Sequence, residues 1–163
     1  MMIIDDLHTA IETQLAAMLP DIDVRFYPQL DDGERVSLPM LALELSGFDD
    51  DAPPGNSQLA LLARFEARLV MDPNEADCDR LLPAMAAAIA ARIHFQTWDQ
   101  PVGPAKIGDI GPDGFKAALE GYSVWMIAWT HEIHVGEADD ITVPAVVPRE
   151  VSWNVNGDKV PAP

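Results

Sequence analysis

Two histidines and a glutamate, in the run His131-Glu132-Ile133-His134, are the first residues here whose types could do chemistry. Such a set could hold a metal ion or share a proton. The zinc pattern it approaches needs two histidines four apart on one helix face. These two stand three apart in an alternating stretch, where neighbouring side chains take opposite faces, so their rings diverge. Asp49-Asp50-Asp51 could attract a cation, but calcium loops alternate their ligands and close on a bidentate glutamate. Neither feature follows, so a solvated acidic loop is expected.

Gly103-Pro104 and Gly111-Pro112-Asp113-Gly114 are expected as turns, with no following Lys-Ser/Thr or helix start to make a phosphate cradle. No serine sits in a nucleophile elbow. Cys78 falls in mid-helix beside two aspartates, whose charge discourages a thiolate nucleophile. Trp98, Trp125, Trp129 and Trp153 are expected to anchor packing, because a base-stacking platform needs cations that are missing here. No catalytic, metal-binding or cofactor-binding set emerges, and the chain is not expected to be an enzyme.

The charge narrows the partners. A net charge of −17 opposes direct nucleic-acid binding, which needs cations to displace condensed counterions. It opposes an anionic membrane surface for the same reason, and no apolar run reaches spanning length. The start MMIIDDL lacks the basic region of a signal peptide. A single cysteine excludes an internal disulfide framework and fits a reducing cytoplasm, with Cys78 as a small buried apolar side chain. With 163 residues, 48 % of them apolar, one domain with a real core is expected.

That domain is organised around the fifteen residues of GYSVWMIAWTHEIHV, Gly121 to Val135. Ser123, Trp125, Ile127, Trp129, His131, Ile133 and Val135 share one face, an aromatic and β-branched set suited to a core. The run is read as a sheet's main strand. Leu7, Ile11, Leu15 and Met18 make one helical stripe within Ile3 to Leu19, which Pro20 stops. Val24 to Tyr27 and Val36 to Leu45 are strand candidates, with Asp31-Asp32-Gly33 as a turn between them and Pro39 marking a strand entrance or edge. Ser46 to Gln58, rich in aspartate, proline and glycine, is expected as a loop.

Leu59 to Val70 fits both periods. Leu61, Leu62, Phe65 and Leu69 would stripe a helix, but six alternating apolar positions favour a strand, with Arg64, Glu66 and Arg68 sharing its other face. Asp72-Pro73 then opens a helix to about His94, with Asp72 as cap and Leu82, Met85, Ile89 and Ile93 buried. Lys106 to Ile110 is a short strand. Beyond Gly136 four prolines interrupt the chain, so residues 137–163 are expected as an extended arm beside a single domain of 1–136. Within the arm, Val151, Trp153 and Val155 alternate with polar residues as a short strand with one apolar face, ending at an Asn156-Gly157 turn. It is expected to need a partner, as a candidate interface on a neighbouring subunit or an adjoining protein.

This order of elements, with ARFEARLVMDPN followed by PVGPAKIGDIGPDGF and DGFKAALEGYSVWMIAWTHEIHVG, resembles the tail terminator, or tail completion, proteins of long-tailed and Mu-like phages. The resemblance runs from about Ile3 to Gly136. It implies an α+β subunit, two main helices on one face of a largely antiparallel or mixed sheet. It also implies a homo-oligomer, a hexameric ring that caps the tail tube, stops its polymerisation and presents a surface to neck and head–tail connector proteins. The implied location is the tail–neck junction of the virion, and the host cytoplasm during assembly. In such a ring Asp49, Asp50 and Asp51 would line the lumen or contact the tube. The rival expectation is an acidic nucleic-acid mimic that inhibits a DNA-binding protein, although the acidic residues cluster in turns rather than along one rigid face.

Overall fold

The computed structural model describes residues 2–29, 37–113 and 119–138, together with the backbone of 152–155 and 158–161. The first apolar stripe forms helix α1 (Met2–Met18), which buries Leu7, Ile11 and Leu15 completely. Strand β1 (Asp23–Phe26) follows and is tied back to the helix, because the Phe26 amide donates to Glu12 Oε2 at 2.8 Å. Strands β2 (Met40–Asp50) and β3 (Leu59–Met71) pair antiparallel, and helix α2 (Cys78–Ile93) crosses back. Strands β4 (Lys106–Pro112) and β5 (Ser123–Val135) complete a five-stranded sheet of order β1-β2-β3-β5-β4. Only β1 and β2 run parallel; the other neighbours are antiparallel. The fold is α+β.

Alternation decides Leu59 to Met71 in favour of a strand. Every residue of β3 from Leu59 to Met71 has a partner on β5, so helix propensity is overridden by pairing. β5 presents the face its alternation indicates: Ile127, Trp129, His131 and Ile133 are buried, although the middle of the sheet is β3. Both helices pack on this face, where Phe65 and Trp129 stack at 5.5 Å over Ala67, Leu69 and the α2 stripe of Leu82, Ala86, Ile89 and Ile93. The Trp129 Nε1–H finds no acceptor among the described residues. An uncompensated buried donor of this kind costs about 1–3 kcal/mol.

Three expectations need correction. The loop expected from Ser46 is strand as far as Asp50: a bulge between Leu45 and Gly47 resets the register, and 47–50 pair with 61–64. The long partner strand supplies the ladder that composition alone argued against. Next, α2 begins at Cys78, not near Pro73. The Asp72 carboxylate accepts from the Asn74 amide (2.9 Å) and side chain (3.1 Å), closing a turn on its own backbone instead of capping the helix. The N-cap is Asp77, in the left-handed region at φ 57°, and Cys78 is buried at the helix start rather than in its middle. Third, Gly111 and Pro112 end β4, where an edge strand tolerates proline, and do not form a turn; Gly114 lies outside the described residues. In the arm, strand β6 (Ser152–Val155) pairs antiparallel with β7 (Asp158–Pro161) in a separate two-stranded sheet. Val151 and the Asn156-Gly157 turn lie outside the described residues, as do the Asp31-Asp32-Gly33 turn and Val36.

Pro83 lies inside α2 and conflicts with it. In the interior of α2 it removes the N–H that would reach the Asp79 carbonyl, and its ring crowds that oxygen. Pro83→Ala should therefore stabilise the protein by about 1–3 kcal/mol, raising the thermal midpoint by several degrees. A midpoint that stays put or falls in calorimetry would show that the helix gains nothing from the restored bond.

Candidate functional site

With both helices on one face of the sheet, the other face collects charged side chains by alternation. On β3 these are Arg64, Glu66 and Arg68, with Glu44 on β2 and Glu132 on β5. Glu44 and Glu66 stand directly opposite each other, a pairing of like charges that destabilises a sheet by itself. Arg68, two residues further along β3, resolves it. Its Nη1 donates to Glu44 Oε1 at 2.9 Å and its Nη2 to Glu66 Oε2 at 2.6 Å. Its Nε donates to Asp113 Oδ2 at 2.6 Å.

Arg68 is only 8 % exposed, and burial disfavours its charge, but the bonds to Asp113, Glu66 and Glu44 outweigh this and hold its pKa above the ordinary value. One cation serves three carboxylates, and its fork geometry lets a different nitrogen meet each. Asp113 is itself placed by its amide, which donates to the Val124 carbonyl at 3.0 Å. Beside this cluster a second apolar group forms from Met40, Val70, Leu119 and Val124, packed by Leu38 and Tyr122. Arg68 therefore ties Asp113, just past the end of β4, to one end of the open face.

Toward the other end the pairs become exposed. Arg64 Nε meets Asp49 Oδ2 at 3.2 Å, its guanidinium lying over Gly47, where an added Cβ would stand 2.8 Å from Arg64 Nη2. Lys106 donates to Glu132, and that bond raises the pKa of the ammonium. A depression of about 260 Å³ runs between these pairs, lined by Ser46, Arg64, Glu66, Gly108, Met126 and Thr130. The face therefore carries paired charges around a shallow hollow. Among the described residues, no group of three His, Cys, Asp or Glu is placed to hold a metal ion.

The three aspartates do not act as one loop. Asp49 is in β2 and paired with Arg64, Asp50 is the last strand residue opposite Leu61, and Asp51 accepts from the Ala52 amide at 2.8 Å. His131 and His134 point apart, the first buried and the second exposed. The side chains of Trp153 and Val155, like Val151, lie outside the described residues. The Arg68 cluster is not among the sites expected from sequence. Its signal was the shared face of Arg64, Glu66 and Arg68, since three charges on one face of a central strand must find partners. No protein-family model matches this chain, and no curated protein matches it.

Arg68→Met should leave three carboxylates facing one another and cost about 3–5 kcal/mol in urea unfolding. Adding Glu44→Gln and Glu66→Gln should restore most of that loss. Arg64→Ala, which breaks a half-exposed pair, should cost less than about 1 kcal/mol. If Arg68→Met is no worse than Arg64→Ala, the cluster does not depend on its single cation.

Proposed function

We propose that this chain is the subunit of a ring that caps a phage tail tube, ends its polymerisation and offers the surface to which the head-side proteins join. The observation that carries the proposal is the arrangement of two helices on one face of a five-stranded, mostly antiparallel sheet, in an element order that resembles tail terminators. A cyclic ring needs two different complementary surfaces on each subunit. The sheet supplies unlike borders for that purpose: a four-residue β1 at one edge, and at the other β4, broken by a register shift and ending in proline. The β6–β7 hairpin is a further candidate contact. Two four-residue strands are marginal alone, so the hairpin gains by docking on a neighbouring subunit or on a tube or neck protein, with Trp153 as the proposed anchor.

Light scattering behind size-exclusion chromatography tests the reading, with a species of about six chains expected. A monomer that displaces DNA from a binding protein would favour the acidic mimic instead. Six copies bring together a charge of −102, six times the −17 of one chain, so repulsion opposes closure. Screening shortens to about 8 Å at 0.15 M salt, and the ringed fraction should therefore rise with added salt. Assembly that weakens steadily as salt increases would mean that attractive ion pairs hold the interface and would count against this account. Trp153→Ala should lower the ringed fraction while leaving the thermal midpoint of the main domain unchanged.

A further inference from the structure

A buried imidazole joins two points of residues 94–105, the segment between α2 and β4, to the sheet. His131 has no exposed surface. Its Nδ1–H donates to the Gly103 carbonyl at 2.7 Å, and its Nε2 accepts from Trp98 Nε1 at 2.9 Å. Indole nitrogen can only donate, so the bond to Trp98 exists only while Nε2 carries no proton. The ring is thereby fixed as the neutral, Nδ1-protonated tautomer. Trp98, only 1 % exposed, is the plug that seats the segment in the core.

The segment itself is under strain. Phe95, Trp98 and Asp99 have φ of 64°, 58° and 55°, in the left-handed region that residues other than glycine avoid. Phe95 is 68 % exposed and contributes little burial to offset this. The restraints are the His131 bonds, the Gly103 amide donating to the Glu132 carbonyl at 2.8 Å, the Ala105 amide donating to the Gln96 carbonyl at 2.8 Å, and Gln14 of α1 donating to the Trp98 carbonyl at 3.0 Å. Gly103 passes so close to β5 that a Cβ there would sit 2.9 Å from the Glu132 Cβ.

We propose that His131 is an acid-sensitive clasp, which holds residues 94–105 against the sheet while neutral and releases them on protonation. Protonated Nε2 would face the indole N–H donor to donor, inside a site whose ring neighbours are Phe65 and Trp98. Charged groups on the surrounding elements do not compensate. Glu132 is on the opposite face bonded to Lys106, Arg64 and Glu66 of β3 share that opposite face, and Asp109 lines the hollow there. Glu12 of α1 is bonded to the Phe26 amide, and His8 meets the Phe65 ring. Asp99 lies within reach of Gln14, Arg92 is exposed, and the ring of His94 lies against Phe95. Burial, opposed in part by the Gly103 carbonyl, accordingly lowers the pKa of the closed-state ring below its ordinary 6.5. The open state regains an ordinary imidazole. Closure is therefore at full strength above about 6.5 and weakens by up to tenfold per pH unit below it, until the closed ring itself takes a proton.

Hydrogen exchange on the full chain between pH 7.5 and 5 reads this directly. Protection factors of the Gly103 and Ala105 amides should fall by up to tenfold per pH unit below about 6.5, while those of β3 stay level. In His131→Gln, which cannot take up a proton, the same amides should show no such slope. A level wild-type profile, or a slope that survives in His131→Gln, overturns the proposal. Should that variant fail to fold, nitrogen NMR of the wild-type ring decides: a neutral Nδ1–H tautomer at pH 6 supports the clasp. A ring already charged at pH 6 with residues 94–105 still protected rules it out.

Discussion

The sheet depends on one guanidinium. Alternation on β2 and β3 puts Glu44 and Glu66 opposite each other, and a one-residue shift of register would relieve this only by moving Phe65 and Leu69 out of the core. Arg68 converts that conflict into a bond network and at the same time secures Asp113, just past the end of β4. The apolar residues that follow, Leu119 and Tyr122, can then close over Met40 and Val70. A buried ion cluster of this kind is weak evidence for added stability, because desolvation offsets much of its attraction. Its effect is to specify which connection lies over which end of the face.

Much of this was legible in the sequence because periodicity is a local signal. The stripe Leu7, Ile11 and Leu15, the alternation of β3 and the aromatic face of β5 each report a face without reference to any distant residue. What escaped depended on partners. Composition made residues 46–50 look like loop, and only their long antiparallel neighbour makes them strand. Asp72 and Asp77 are chemically alike, so the choice of helix start rested on which one turned its side chain back on its own backbone. Arg68 and Asp113 lie forty-five positions apart and meet only through the topology. His131 was visible, and its divergence from His134 was readable, but its bond to Trp98 across thirty-three positions was not.

On the open face the cations Arg64, Arg68 and Lys106 each meet a carboxylate, so this side carries local pairs instead of bare acidity. The negative charge of the chain is thus partly cancelled on this side of the sheet.

The strand order has a temporal meaning as well. β5 is the partner of both β3 and β4, yet it is the last of the five strands to be synthesised. A chain emerging from the ribosome can form the β2–β3 hairpin early and lay α1 and α2 against it, but β3 then offers an open border. β4 leaves the ribosome with no neighbour to pair with until β5 slides in between. The Phe65–Trp129 stack and the seat of Trp98 are completed at that same moment. Folding of the core is therefore a late insertion rather than a progressive addition, and the nascent chain carries an unsealed edge from the emergence of β3 until that of β5.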